Sequence, residues 1–183
     1  MARHKHLARL DRVWVESPVF YLTVCSVGRR HVLANETMHA ICREVWNNCE
    51  TKYGWAVGRY VLMPDHAHFF CWPRVVAVAG VCDPGSPGDD VAHRTGLKEA
   101  GYNATSLSTF IGKWKEWTAK YAHRRLGVDV PLWQPEFFDH LLRSWESYED
   151  KWNYVRDNPL RAGLTTNVDD WPYQGEIHQL REL

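Results

Sequence analysis

The sequence predicts an α+β fold, a single domain with an antiparallel sheet of the ferredoxin-like or RRM-like kind and helices packed on it. The chain has 183 residues, enough for one domain with a real core. Apolar residues make up 45% and charged residues 24%, as in globular proteins. The patterns run strand, helix, strand, strand, helix, strand, helix. An antiparallel sheet with helices on one face is the economical solution for that order.

The first half of the chain predicts three strands and one helix. Residues 18–27 are rich in β-branched and aromatic side chains and predict a strand. Asn35 caps a helix whose apolar residues recur at helical spacing until Gly54 ends it. Residues 55–63 and 66–72 predict two strands joined by a tight turn, which makes a hairpin.

The second half predicts two helices around one strand. Residues 106–126 show a long apolar stripe at helical spacing, and residues 137–143 predict a strand. Residues 144–157 predict the last helix, which ends before Asn158-Pro159 because proline cannot continue the hydrogen-bond ladder. The remaining tail is expected to pack irregularly.

One segment interrupts this order. From about residue 79 to 104 the sequence has no sustained period and contains the run CDPGSPGDD. It predicts an exposed loop inserted into a core of about 12–173, within one domain spanning 1–183. A loop of this length in a small domain is either a functional flap or tolerated decoration.

Charge, cysteine content and hydropathy indicate which classes of protein the sequence fits. The 22 basic and 22 acidic residues cancel, so nucleic-acid binding would require a local basic patch. The five cysteines form no C-x-x-C pair and predict free thiols rather than a disulfide framework. No stretch approaches the ~18 apolar residues of a membrane span, and no signal-like stretch follows the basic N-terminal arm. We therefore expect a cytoplasmic protein.

The motif MPDHAHFF places two histidines at the start of a predicted strand. His66 and His68 share one face of that strand, because residues i and i+2 point the same way. They could bind one metal ion or form a polar patch that faces solvent. Cys71 lies on the opposite face, so a site completed by oxygen ligands and suited to Mg²⁺ or Mn²⁺ fits better than a zinc site. The pair His4 and His6 falls in the basic arm, where no scaffold would hold it.

The last predicted helix displays a phenol away from its apolar stripe. The stripe consists of Trp145, Tyr148, Trp152 and Val155. Tyr154 lies about 200° around the helix from Trp152, and Asn158 is one turn further on the same side. This arrangement fits either a functional phenol–amide pair or an exposed tyrosine near a helix end.

The helix at 106–126 carries a possible basic ridge. Lys113, Trp117, Lys120 and Arg124 align opposite its apolar stripe. Cations around an indole suit a phosphate backbone with a stacked base, although a solvated helix face is the commoner explanation.

Four sequence blocks together resemble the REP-associated tyrosine transposases, a branch of the single-tyrosine HUH transposases. The blocks are YVLMPDHAHFF, SLSTFIGKWKEWTAKYAHRR, WQPEFFDHLLRS and YVRDNPLRAGL followed by WPY. The resemblance covers about residues 12–173 without the loop. The loop looks longer than is usual in that family, and Ala67 is smaller than the residue common there.

The resemblance implies an enzyme and a set of site residues. His66 and His68 would bind Mg²⁺ or Mn²⁺ with Asn158 as third ligand, and Tyr154 would be the nucleophile. Tyr148 competes for that role, but it lies on the apolar stripe. The implied substrate is single-stranded DNA beside hairpins of repetitive extragenic palindromes, in a protein that is a monomer or a homodimer. Arg161, the basic arm and the ridge are the residues expected to bind DNA.

Two alternatives predict different chemistry. An RRM-like protein would bind nucleic acid by stacking aromatic side chains on its sheet and would have no activity to lose. A small metal-dependent hydrolase would cleave DNA with water and form no covalent protein–DNA adduct.

Overall fold

A computed structural model describes residues 18–74, 104–142 and 144–180, with only the backbone described at 145 and 146. The predicted basic arm, Cys82 and nearly all of the 79–104 loop lie outside the described residues. The elements in chain order are β1 (Val19–Cys25), α1 (Glu36–Asn47), α2 (Cys49–Tyr53), β2 (Trp55–Leu62), β3 (His66–Pro73), α3 (Leu107–Leu126), β4 (Phe138–Leu142), α4 (Trp145–Arg156), α5 (Asn158–Arg161) and β5 (Gln174–Glu176).

The five strands form one antiparallel sheet in the order β4-β1-β3-β2-β5. The first four strands have the ferredoxin-like order, which confirms the predicted fold class. The β2–β3 hairpin lies in the centre of the sheet, so the histidine motif falls on a central strand that pairs on both sides.

Local signals set the limits of the helices close to their predicted positions. The side chains of Asn35, Ser106 and Ser144 each accept a hydrogen bond from a backbone N–H in the first helical turn. Gly54 and Gly127 end α2 and α3 in the left-handed conformation that glycine adopts at little cost. The helix predicted from Asn35 to Gly54 is in fact two helices, because helical hydrogen bonding is interrupted at residue 48.

The prediction that all helices lie on one face of the sheet is wrong. Helices α1 and α3 cover the face that carries Phe69 and Cys71. Helix α4 covers the other face, where Tyr148 and Val155 pack with Phe70 and Trp171. Strands β2 and β3 are buried along almost their whole length because both faces are covered, as their nearly continuous apolar runs suggest.

Aromatic side chains fill both layers of the core. Of the eight tryptophans whose side chains are described, six are buried, and their positions are 46, 55, 72, 114, 133 and 171. Trp46 stacks on Trp114 with ring centroids 5.6 Å apart, and Trp55 stacks on Phe110 at 5.3 Å. The high tryptophan count is thus largely explained by packing in the core rather than by ligand binding.

The C-terminal segment is more regular than predicted. Residues Val168–Asp170 form a 3-10 turn, and β5 adds a fifth strand beside β2. The indole Nε1 of Trp171 donates a hydrogen bond to the carbonyl of Leu62 at 3.0 Å. These contacts hold the tail along the β2 edge and help to cover the α4 face.

Four of the five cysteines are described, and all four are free thiols, as predicted. Cys42, Cys49 and Cys71 are buried, while Cys25 is partly exposed at the end of β1. In the described part of the chain, no helix is both long enough and apolar enough to cross a membrane.

Gly58 allows β2 to lie against the ring of Trp72. A Cβ at position 58 would come within 2.8 Å of Cζ3 of Trp72, whose side chain is buried. We expect Gly58→Ala to lower the free energy of unfolding by about 1–3 kcal/mol, because a packed ring would have to move. Urea unfolding followed by circular dichroism measures this loss.

Gly112 provides a matched glycine in an open position. It lies inside α3, and a Cβ there would meet nothing within 4 Å. Gly112→Ala should raise the free energy of unfolding by about 1 kcal/mol, because alanine favours the helix. Equal effects of the two substitutions would contradict the steric explanation for Gly58.

Candidate active site

The two histidines of the motif lie side by side on the α4 face of the sheet. His66 and His68 have ring centroids 4.6 Å apart and planes at 84° to each other. Their face is that of Phe70 and Tyr21, whereas Cys71 packs in the cluster beneath α1 and α3. The predicted separation of Cys71 from the histidine pair is therefore correct.

Each imidazole uses its Nδ1 atom for a contact within the protein. Nδ1 of His66 lies 2.6 Å from Oδ1 of Asp65, and Nδ1 of His68 lies 2.8 Å from the Tyr21 phenol and 2.9 Å from Oγ1 of Thr23. No hydrogen bond to either Nε2 atom occurs among the described residues. When Nδ1 carries the proton and donates it to these oxygens, Nε2 holds the free lone pair of each ring.

Burial keeps these imidazoles neutral. Burial, and then the neighbouring His66 and Arg29, lower the pKa of His68 to about 3. Burial also lowers the pKa of His66, although Asp65 opposes it. Burial alone would raise the pKa of Asp65, but its hydrogen bond to His66 and the charge of Arg29 hold that pKa below its usual value. The site therefore offers two neutral nitrogen donors at neutral pH.

These residues fit a metal site of the predicted kind. A metal-binding histidine commonly donates its other ring N–H to a carboxylate or a hydroxyl, which fixes the tautomer and the ring orientation. Asp65 and Tyr21 stand in those places. No cluster of three or more histidine, cysteine or acidic side chains suited to a metal occurs among residues 18–74, 104–142 and 144–180.

Tyr154 is exposed on α4, on the same side of the sheet as the histidine pair. Its exposed fraction is 58%, whereas that of Tyr148 is 1%. Tyr148 packs against Phe70 with ring centroids 4.7 Å apart. Burial raises the pKa of the Tyr148 phenol above its usual range. Of the two tyrosines considered from the sequence, only Tyr154 is open to a macromolecular substrate.

Two cations flank Tyr154. The ammonium of Lys151 lies 5.6 Å from the centre of the Tyr154 ring and 5.2 Å from that of Tyr21, the hydrogen-bond partner of His68. The guanidinium of Arg161 lies 4.3 Å from the centre of the Tyr154 ring. Lys151 and Tyr21 therefore connect the tyrosine with the histidine pair, and the space around the phenol is positively charged.

Asn158 begins α5, one turn after Tyr154. Arg161 donates a hydrogen bond to the Asn158 Oδ1 and another to the backbone carbonyl of Tyr154. It also contributes to the electrostatic environment of His68. The structure thus brings together Tyr154, Asn158 and Arg161, three of the residues selected from the sequence.

The predicted basic ridge lies elsewhere. Helix α3 packs on the sheet face opposite the histidine pair, so Lys113, Lys120 and Arg124 do not join the site. Glu116 accepts from Lys113 at 3.0 Å and lies 3.8 Å from Lys120. Trp117 is partly buried under Lys52 and Lys120. DNA binding by this ridge stays a prediction, and the ridge is separate from the candidate active site.

The sequence did not indicate Lys151, Tyr21 or Arg29 as site residues. Lysines on helices are common, and Tyr21 fits the apolar pattern of its strand. Arg29 reaches Asp65 at 2.7 Å only because the 3-10 turn at Val27–Arg29 brings it beside the β2–β3 turn. One sequence signal could have indicated this hydroxyl pair. Tyr21 and Thr23 are two residues apart on β1, so their side chains point to the same face of the sheet.

Arg59 attaches α4 to the sheet. Its guanidinium donates to both carboxylate oxygens of Glu149, at 2.8 and 2.9 Å, and lies 5.5 Å from the Trp152 ring centre. It also lies 3.7 Å from Glu176 on β5. One arginine on β2 therefore joins the helix that carries Tyr154 and the terminal strand.

Removing this connection should destabilise the protein measurably. We expect Arg59→Met to lower the free energy of unfolding by about 1 kcal/mol, because this charge-assisted ion pair is partly buried. Arg74→Met is the control, since Arg74 pairs with Glu50 in a more exposed place and should lose less. Thermal unfolding of the two variants side by side tests this, and equal losses would contradict it.

Comparison with known proteins identifies relatives that match most of the chain. The chain is 22% identical over 167 residues to the REP-associated tyrosine transposase of Escherichia coli (strain K12), covering 91% of this chain and 81% of that protein. It is 21% identical over 168 residues to an uncharacterized protein of Haemophilus influenzae, covering 86% and 89% of the two. No protein-family model matches the chain.

One solved structure supports the fold. A REP-associated tyrosine transposase bound to a REP hairpin superposes with a TM-score of 0.64 at 18% identity, over 95% of this chain and 82% of that one. The resemblance drawn from the sequence blocks is confirmed by the relative of that name that matches over most of the chain. That relative is a transposase, and the prediction of an enzyme of this class is confirmed with it.

Proposed function

We propose that the chain is a metal-dependent single-stranded DNA endonuclease and strand transferase that acts at hairpin or palindromic repeats through a 5′-phosphotyrosine intermediate. One observation carries this proposal. Two neutral imidazoles with free Nε2 atoms and an exposed tyrosine flanked by cations lie on the same side of the sheet. The relative bound to a REP hairpin supports hairpin DNA as the substrate.

In the proposed step, one phosphodiester replaces another. The phenolic oxygen of Tyr154 bonds to phosphorus as the bond from phosphorus to the 3′ oxygen breaks. The phenol loses its proton to solvent, and the departing 3′ oxygen gains one. The DNA then ends in a 3′-hydroxyl, and its 5′-phosphate is esterified to Tyr154. Because bond types are conserved, a 3′-hydroxyl can attack the phosphotyrosine and rejoin a strand without ATP.

His66 and His68 are the proposed nitrogen ligands of Mg²⁺ or Mn²⁺, with Asn158 as the proposed third ligand. A bound divalent cation supplies positive charge that polarises the phosphate and stabilises its transition state. The Asn158 Oδ1 accepts a hydrogen bond from Arg161, and the second lone pair of this amide oxygen could bind the cation. The ionised Asp65 carboxylate can only accept, so it favours the His66 tautomer with the proton on Nδ1. The Tyr21 hydroxyl favours the same tautomer of His68 when it accepts from Nδ1.

Lys151 and Arg161 are suited to bind the phosphate that Tyr154 attacks. Both cations lie beside the phenol ring, and their charges would stabilise a phenolate as the proton leaves. A phenol has a pKa near 10 and is a weak nucleophile at neutral pH, so this stabilisation is needed. Binding of the scissile phosphate between them would also orient it toward the tyrosine oxygen.

A covalent-adduct assay tests the proposal. The protein is incubated with a labelled single-stranded hairpin oligonucleotide and Mg²⁺ or Mn²⁺, and the products are separated on a denaturing gel. A labelled band shifted by the mass of the protein, absent with EDTA, is the expected result. Cleavage without an adduct would support the hydrolase alternative and overturn the tyrosine mechanism. Binding without cleavage would support the RRM-like alternative.

The structure gives one argument against the RRM-like alternative. Such proteins stack bases on an open sheet face. Here α4 and Trp171 cover much of the face opposite α1 and α3. We further propose that the protein acts in the cytoplasm, as a monomer or a homodimer.

A further inference from the structure

Phe138 is a large apolar side chain left exposed beside the candidate active site. Its exposed fraction is 58%, and it begins β4 at the edge of the sheet. It pairs in register with Thr23, on the face that carries Tyr21 and the histidine pair. Leu142, on the same face of the same strand, is buried. The first three residues of β4 are exposed, and Phe138 is the large apolar side chain among them.

The phenyl ring lies within reach of DNA held at the site. Its centroid is 6.3 Å from that of Tyr21, which is 5.7 Å from that of His68. The ring of Phe138 is thus at most about 12 Å from His68. A stacked strand of DNA rises ~3.4 Å per nucleotide, and an extended single strand spans roughly twice that distance per nucleotide. The distance between the rings of Phe138 and His68 therefore corresponds to one or two nucleotides.

The charges around this ring favour a nucleic acid over a protein partner. Lys151 lies over the ring of Tyr21, which is also in contact with the ring of Phe138, and Lys151 has no carboxylate partner among the described residues. The cores of protein–protein interfaces are depleted of such unpaired charges. Sites for single-stranded nucleic acid combine an aromatic ring, on which a base stacks, with cations that track the phosphates.

We propose that Phe138 is a stacking platform for one base of the single-stranded DNA, one or two nucleotides from the phosphate that Tyr154 attacks. This inference rests on the proposed function, because it takes the histidine pair and Tyr154 to mark the position of that phosphate. Stacking on a phenyl ring tolerates any base, so the platform positions the strand rather than reading its sequence.

The first test measures binding of fluorescein-labelled dT20 by anisotropy at one fixed salt concentration. Phe138→Ala should weaken binding about 10-fold, whereas Phe138→Tyr and Phe138→Trp should retain it. Leu126→Ala is the control, since it removes an exposed apolar side chain on the α3 side. Equal binding by Phe138→Ala and the wild type would overturn the proposal.

The second test locates the contact directly. A dT20 probe containing 5-iododeoxyuridine is irradiated with the protein, and the crosslinked peptide is identified by mass spectrometry. A crosslink at Phe138 is the expected result, and crosslinks confined to other residues would overturn the proposal. A merely structural role of Phe138 would produce no crosslink.

Kinetics separate this inference from the proposed function. If the wild type forms the adduct, Phe138→Ala should require about 10-fold more hairpin DNA for half-maximal rate, with little change at saturation. If the wild type forms no adduct, the proposed function fails, while the dT20 affinity and the crosslink still test Phe138. A dimer that dissociates in Phe138→Ala, with unchanged dT20 affinity, would assign the ring to a subunit contact and overturn the proposal.

Discussion

Tyr154→Phe is expected to abolish the covalent protein–DNA adduct while leaving DNA binding close to that of the wild type. The substitution removes only the phenolic oxygen, which is the proposed nucleophile, and no other described group could replace it at that position. The rate of cleavage should fall by at least about 10³-fold. The denaturing-gel assay with labelled hairpin DNA measures the adduct, and an anisotropy titration measures the binding.

Tyr148→Phe is the matched control. Tyr148 lies on the same helix, but its exposed fraction is 1% and its ring packs on Phe70. This variant should form the adduct at a rate within a few fold of the wild type. An adduct that persisted in Tyr154→Phe and vanished in Tyr148→Phe would show that the wrong tyrosine had been chosen.

His68→Ala should remove metal-dependent activity and most of the metal affinity. The substitution deletes one of two proposed nitrogen ligands, and changes even to the residues that support metal ligands commonly cost 10–100-fold in affinity. We therefore expect at least about a 100-fold weaker response to Mn²⁺, measured as the concentration that gives half-maximal adduct formation. In the wild type, EDTA should abolish the adduct and added Mn²⁺ should restore it.

His123→Ala provides the control for loss of an imidazole. His123 is exposed near the end of α3, on the other side of the sheet from the site, and its Nδ1 lies 3.0 Å from the Val128 carbonyl. The His123→Ala variant should require the same Mn²⁺ concentration as the wild type for half-maximal adduct formation. If His68→Ala kept the wild-type Mn²⁺ requirement, the histidine pair would not be the metal site.

Sequence patterns predicted the parts of the fold that depend on local chemistry. The capping side chains of Asn35 and Ser106 and the terminal glycines at 54 and 127 act over one helical turn, so the helix limits follow from neighbouring residues. The same alternation rule placed His66 and His68 on one strand face. The order of the predicted strands and helices along the chain then led to the correct fold class, an α+β fold with an antiparallel sheet.

Contacts between distant segments could not be predicted in the same way. Helix α4 lies on the second face through contacts between distant segments, such as the hydrogen bond from Arg59 to Glu149, 90 residues later. Strand β5 is three residues long and is defined by its pairing with β2 rather than by its own composition. Likewise, the importance of Lys151 comes from its position between the rings of Tyr21 and Tyr154.

The hydrogen bonds to the two Nδ1 atoms have a consequence for the proposed cation site. Oxygens of Asp65, Tyr21 and Thr23 contact the Nδ1 atoms of the two imidazoles, and the two aromatic core layers are built from other side chains. A cation bound at the proposed site would therefore meet imidazoles that the fold already holds, and binding would cost little ordering entropy. In zinc fingers, by contrast, metal binding is itself the folding energy. In this protein, chelation should act as a reversible switch on chemistry that leaves the scaffold folded.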